Sequence, residues 1–208
     1  MVDDYIKFAF IALCFIIALV SYWFSNSKRD WAFLALAMGF TLTSDYFLLL
    51  TSRHATGVLI FCFVHIIYIL RVSFDWEKSL MKIGATVCIG WLILAISAFT
   101  PLLPHFNRNP IIIFAAIYAA LFIQNIIAHV KYYRYNGQDA LPLINRKIML
   151  IGLVLFALCD IHVLMFNLPL YLNVPPAIGI WGRTWMWVFY APSQLLLCIS
   201  AVQWKKDS

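Results

Sequence analysis

Charge is what this sequence lacks most. Only 12% of its 208 residues are Asp, Glu, Lys or Arg, and 64% are hydrophobic. An ordinary soluble domain carries about 25% charged residues. A chain this apolar cannot hide its side chains in one small water-soluble core, and it needs lipid as its solvent. Linkers are missing too. No Pro/Gly/Ser-rich or low-complexity tract divides the chain, so residues 1–208 read as one transmembrane domain. There is no Cys-x-x-Cys. The five cysteines (Cys14, Cys62, Cys88, Cys159 and Cys198) are odd in number and lie in apolar runs. That argues against a disulfide framework or a thiolate zinc site, and small packing residues are expected instead. A cleavable signal peptide is not expected either. Asp3 and Asp4 make the start acidic, and the apolar run that follows exceeds the usual ~7–15 residues of such a core.

What is present is a series of seven apolar runs, over residues 5–24, 31–50, 58–74, 83–99, 111–130, 148–166 and 184–203. Each is long enough to cross about 30 Å of hydrocarbon as a helix. The fold expected is an all-α polytopic bundle of seven spans. The proline-bearing stretch 167–183 is expected to be a surface turn region rather than helix.

The cations set the orientation. Lys28, Arg29, Arg71, Lys78, Lys82, Lys131, Arg134, Arg146, Lys147, Lys205 and Lys206 fall on one side. Only Lys7, Arg53, Arg108 and Arg183 fall on the other. The richer side is expected to be cytoplasmic, with the N-terminus outside and the C-terminus inside, and a bacterial inner (plasma) membrane is the expected location. The net charge of +6 is therefore a lipid-facing pattern, and no nucleic-acid partner is expected. Trp23, Trp31, Trp76, Trp181 and Trp204 sit near span ends, as interface anchors do.

Two aspartates break the apolar runs: Asp45 in the second and Asp160 in the sixth. An Asp at the bilayer centre costs about 2.5–3.5 kcal/mol, so the default is a functional group facing the bundle interior. Counted from the outer rim, Asp45, Asp160, His65 and Tyr190 all lie about 7–10 Å deep at 1.5 Å per residue. Tyr118 falls at a similar depth. Four helices thus place polar groups in one layer, which suggests a polar cavity opening outward. Tyr68 shares a face with His65, and Gln194 with Tyr190. Pro192 is expected to free the Val188 carbonyl toward that cavity. The bland alternative is that the aspartates only join helices by hydrogen bonds. His54, His105 and His129 lie near loops and are expected to be solvated. Gln124 and Asn125 lie deeper and receive no role.

These residues resemble the YhhN family, the membrane lysoplasmalogenases. The likeness lies in motifs kept in a fixed order from Trp31 onward. TSDYFLLL stands around Asp45, and GVLIFCFVHIIYI carries Gly57, Phe63, His65 and Tyr68. GLVLFALCD runs from Gly152 to Asp160, and YAPSQ from Tyr190 to Gln194. Ser44 and Cys159 replace the family's Gly and Ser before the two aspartates, and the first of the family's eight helices is expected to be missing. The resemblance implies hydrolysis of the vinyl-ether bond of a lysoplasmalogen, a lysophospholipid taken from the bilayer. The products are a fatty aldehyde and a glycerophospho-alcohol. Such chemistry wants one protonated acid and one carboxylate, which Asp45 and Asp160 would supply as catalytic residues. His65, Tyr68, Tyr190 and Gln194 would position water or substrate, and Arg53 or Arg183 would meet the lipid phosphate. No cofactor and no metal are expected. Partners are membrane lipids, and the oligomeric state has no signature in the sequence. The alternative is a non-enzymatic seven-span lipid-binding or proton-coupled transport protein.

Overall fold

Segments that bury apolar surface in lipid must satisfy their own backbone, and helices do so within one segment. The computed structural model describes residues 2–25, 27–51, 53–99, 110–137, 140–170 and 173–204. Among these, seven long helices appear: α1 (Val2–Val20), α2 (Lys28–Asp45), α3 (His54–Arg71), α4 (Trp76–Phe99), α5 (Pro110–Arg134), α6 (Leu143–Asn167) and α7 (Pro176–Cys198). Arg108, His105, Lys205 and Lys206 lie outside the described residues.

Local chemistry sets the boundaries. Ser27 caps α2 by accepting from the Asp30 backbone N–H at 3.4 Å. Helix α7 begins at Pro176, inside the stretch read as turns. Proline suits a first helical turn, where its missing N–H would have no partner, so Pro175 and Pro176 start a helix rather than prevent one. Five helices are long and apolar enough to span a membrane: α1, α2 with the turn after it, α3, α5 and α6. Helices α4 and α7 are not among them.

The contacts close into a ring. Helix α2 packs on α3, α3 on α5, α5 on α6, α6 on α7, and α7 returns to α2. The other two lie outside it. Helix α1 covers the α2–α7 junction, and α4 covers α3 and α5. The core fills the ring, with Phe61, Val64, Phe122, Leu153, Phe156 and Leu197 among its buried side chains. Large apolar residues such as Leu13, Ile16, Leu36, Ile89, Trp91, Ile123, Leu164 and Val188 face outward and exposed. A surface this apolar requires a nonaqueous neighbour.

Helices α6 and α7 come into close contact at Gly182. A Cβ there would collide with the backbone of His162 and Phe166, so only glycine fits. Four of the cysteines are buried as packing residues, while Cys88 is exposed.

The end of the bundle carrying the α2 N-terminus and the α7 C-terminus is tied by a buried polar cluster. Arg71 Nε and Nη2 donate to the two Asp30 carboxylate oxygens at 2.7 and 2.8 Å, and Nη1 donates to Ser200 Oγ at 3.0 Å. Asn145 donates to the Ser200 and Val202 carbonyls. Arg146 donates to the carbonyls of Tyr132, Tyr133 and Tyr135 that end α5. Arg71 and Arg146, counted from sequence as loop charges, are therefore buried structural cations. The Trp31 indole N–H donates to the Ala18 carbonyl at 2.9 Å. Trp23 and Trp76 are exposed at helix ends, Trp181 is exposed in the second turn of α7, and Trp204 is exposed beyond the end of α7.

Candidate active site

Each of the five ring helices sends at least one polar side chain inward toward the other end of the bundle. Asp45 is the last residue of α2 and is buried. Directly after it the helix widens into a π-helical turn, Tyr46–Leu50. Such turns are uncommon and concentrate at functional sites. Ser44 holds this corner to α3 by donating to the Gly57 carbonyl at 2.6 Å.

Asp45 Oδ2 accepts from the Tyr190 hydroxyl of α7 at 2.6 Å. Asp160 Oδ2, on α6, accepts from the Tyr118 hydroxyl of α5 at 2.7 Å. The two pairs meet through rings. His65 of α3 lies edge-on to Tyr118 at 4.7 Å and stacks on Phe122 at 4.5 Å. Phe156 touches both His65, at 5.7 Å, and Tyr190, at 5.6 Å. Asp45, His65, Tyr118, Asp160 and Tyr190 thus form one contiguous cluster. Asp45, His65 and Tyr190 are buried, while Asp160 and Tyr118 are half-buried. Among the described residues no Lys, Arg or His forms an ion pair with either aspartate. No group of three or more His, Cys, Asp or Glu side chains there could hold a metal ion.

Tyr68 and Gln194 lie a helical turn deeper. The Tyr68 hydroxyl donates to the Met38 sulfur at 3.7 Å. Gln194 donates to Ser193 Oγ at 3.4 Å, and its Oε1 has no partner among the described residues. Pro192 and Val188 are both exposed on the outer face of α7. The proline therefore disturbs the outer side of the helix rather than the cluster. His162 faces α7, with Nδ1 on the Leu158 carbonyl and its ring 5.1 Å from Phe189. Arg53 and Arg183 are exposed at this end of the bundle.

Two residues were missed from sequence. Asn125 is fully buried, and its Nδ2 lies 3.1 Å from His65 Nδ1. His129, expected in solvent, is 2% exposed, with Nδ1 3.0 Å from the Asn125 carbonyl. The signal was a stripe on α5. Tyr118, Phe122, Asn125, His129 and Tyr132 follow a three-four spacing, which puts all five on one face. Gln124, one position from that stripe, instead donates to Thr86 of α4.

An all-helical bundle with an apolar exterior, and with two carboxyl groups on its inner side held by tyrosine hydroxyls, defines an integral membrane protein with an acidic internal cluster. The YhhN family model matches residues 3–201, and the chain belongs to that family. The match takes in α1, which the motifs from Trp31 onward did not reach. No curated protein and no solved structure matches the chain.

Proposed function

We propose that the chain crosses a bacterial inner membrane seven times, with the N-terminus outside, and hydrolyses the vinyl-ether bond of lysoplasmalogens. The outward apolar faces of α4 (Ile89, Trp91, Leu92) and α7 (Ile180, Val188, Leu195) support counting both as spans. Lys28, Arg29, Lys78, Lys82, Lys131, Arg134 and Lys147 stand at one end of the bundle, against Lys7, Arg53 and Arg183 at the other, which supports the orientation.

One observation carries the chemistry: two carboxyl groups lie in one cluster, each accepting from a single tyrosine hydroxyl and neither ion-paired to a cation among the described residues. One aspartic acid gives its proton to the outer carbon of the double bond, leaving an oxocarbenium centre at the carbon beside oxygen. The other aspartate takes a proton from water as that water attacks this centre. The resulting hemiacetal returns its hydroxyl proton to the first aspartate. Its bond to the glycerol oxygen breaks as the second aspartic acid protonates that oxygen. Fatty aldehyde and glycerophospho-alcohol leave, and both carboxyl groups regain their starting states. Tyr118 and Tyr190 orient the carboxyl groups. His65, packed between Tyr118 and Phe122, offers its second ring nitrogen to water, and Tyr68 and Gln194 extend the polar lining below.

The test is aldehyde release from lysoplasmenylethanolamine by detergent-purified protein, with Asp160→Asn beside it. Turnover by wild type and a loss of about a thousandfold or more in the variant are expected. No aldehyde from folded wild type with either ethanolamine or choline head groups would overturn this reading. It would point to a lipid-binding or transport protein instead.

A further inference from the structure

The vinyl-ether reading says where a bond breaks but leaves the rest of the lipid unheld. Helix α1 lies over the junction at which Tyr190 reaches across to Asp45. At the rim of that junction its Phe8 packs edge-on to Tyr46, at 6.2 Å, and Lys7 Nζ sits 5.4 Å over the Trp187 ring. Trp187 in turn stands edge-on to Tyr190 at 5.1 Å. The face of α7 therefore reads, from rim inward, Arg183, Trp187, Tyr190, Gln194, at spacings of four, three and four. Lys7 is drawn to two carboxylates, Asp3 Oδ2 at 2.5 Å and Asp4 Oδ1 at 3.7 Å, and its side chain is 23% exposed.

We propose that Lys7, with Arg183 above it, is the phosphate-binding subsite of this site. The inference rests on the vinyl-ether reading for the position of the reacting bond, and lengths support it. Trp187, under Lys7, is three residues above Tyr190, or about 4.5 Å along the helix, and Arg183 is about 10 Å above. In a lysoplasmalogen six bonds separate the reacting carbon from phosphorus, roughly 7 Å when extended. A lipid with its vinyl ether at the Asp45–Tyr190 level puts its phosphate between the two cations. The Trp187 ring limits where the Lys7 ammonium can stand. The Asp3 and Asp4 carboxylates hold it in the place of phosphate oxygens until lipid displaces them.

Binding separates this inference from catalysis. Intrinsic tryptophan fluorescence is titrated with a saturated 1-alkyl lysophosphoethanolamine and with the 1-alkylglycerol lacking phosphate, neither of which can be cleaved. Wild type should bind the phospholipid more tightly. Lys7→Gln should weaken that binding about tenfold, the value of one charge-assisted contact, while leaving the neutral ether unchanged. Lys7→Arg should restore it. Equal phospholipid binding by Lys7→Gln and wild type would overturn the proposal, and so would equal weakening toward both lipids. Failure of aldehyde release, by contrast, strikes the vinyl-ether reading alone.

Discussion

The bundle holds buried aspartates at both ends, and their surroundings differ. Asp30 faces the Arg71 guanidinium in a two-pronged pair, with Ser200 taking a third donor of the same arginine. The charges there cancel. Asp45 and Asp160 receive one tyrosine hydroxyl each and no cation among the described residues. The first end is a clasp joining α2, α3 and the segment after α7. The second keeps acceptor capacity uncommitted among apolar rings, which costs stability. The same residue type is neutralised in one place and left without a cation in the other because of what stands opposite it, and the proposed reaction draws on the second arrangement.

The sharpest way to break the comparison is to unpair Asp30. Arg71→Leu should cost about 3–5 kcal/mol of stability, because it strands a buried carboxylate. Thermal unfolding in detergent would show it, and a variant as stable as wild type would mean the clasp holds nothing. Asp45→Asn should do the reverse. It should abolish aldehyde release while costing only about 1 kcal/mol of stability, the value of an ordinary hydrogen bond. Loss of folding there would make Asp45 a second clasp. Tyr118→Phe and Tyr190→Phe each remove one donor and should lower turnover about tenfold, again one hydrogen bond. Unchanged turnover in both would detach the tyrosines from the site. The smallest effect belongs to Ser200→Ala, roughly 1 kcal/mol of stability with turnover untouched. A turnover loss there would show that the two ends are coupled.

Much of this was legible in the sequence. Hydropathy located all seven helices, and counting rise per residue put Asp45, Asp160, His65 and Tyr190 at a common depth. Depth and face follow from helix periodicity, whereas the residue opposite depends on which helices adjoin. That is why Asp30 and Arg71, 41 positions apart, went unpaired, and why Asn125 had no role until α5 stood beside α3. His129 was misjudged for a related reason. Helix α5 runs on to Arg134, so a residue near the end of the apolar run is still inside the bundle. The start of α7 was missed because two prolines read as a turn also fit a first helical turn.

The widened turn after Asp45 has a consequence for how the chain tolerates change. A π-helical turn takes in one residue more than an α-helical turn, so every side chain after it is rotated out of phase with those before it. In an amphipathic helix that slip would swing polar groups into lipid or apolar groups into the core. Phe47, Leu48, Leu49 and Leu50 are apolar all round, and they carry no phase to lose. The unbroken greasy run is what lets the backbone hold an inserted residue beside the carboxyl group. A single deletion within it would re-clock Leu48 away from Gly57, the glycine whose missing Cβ gives that leucine its place.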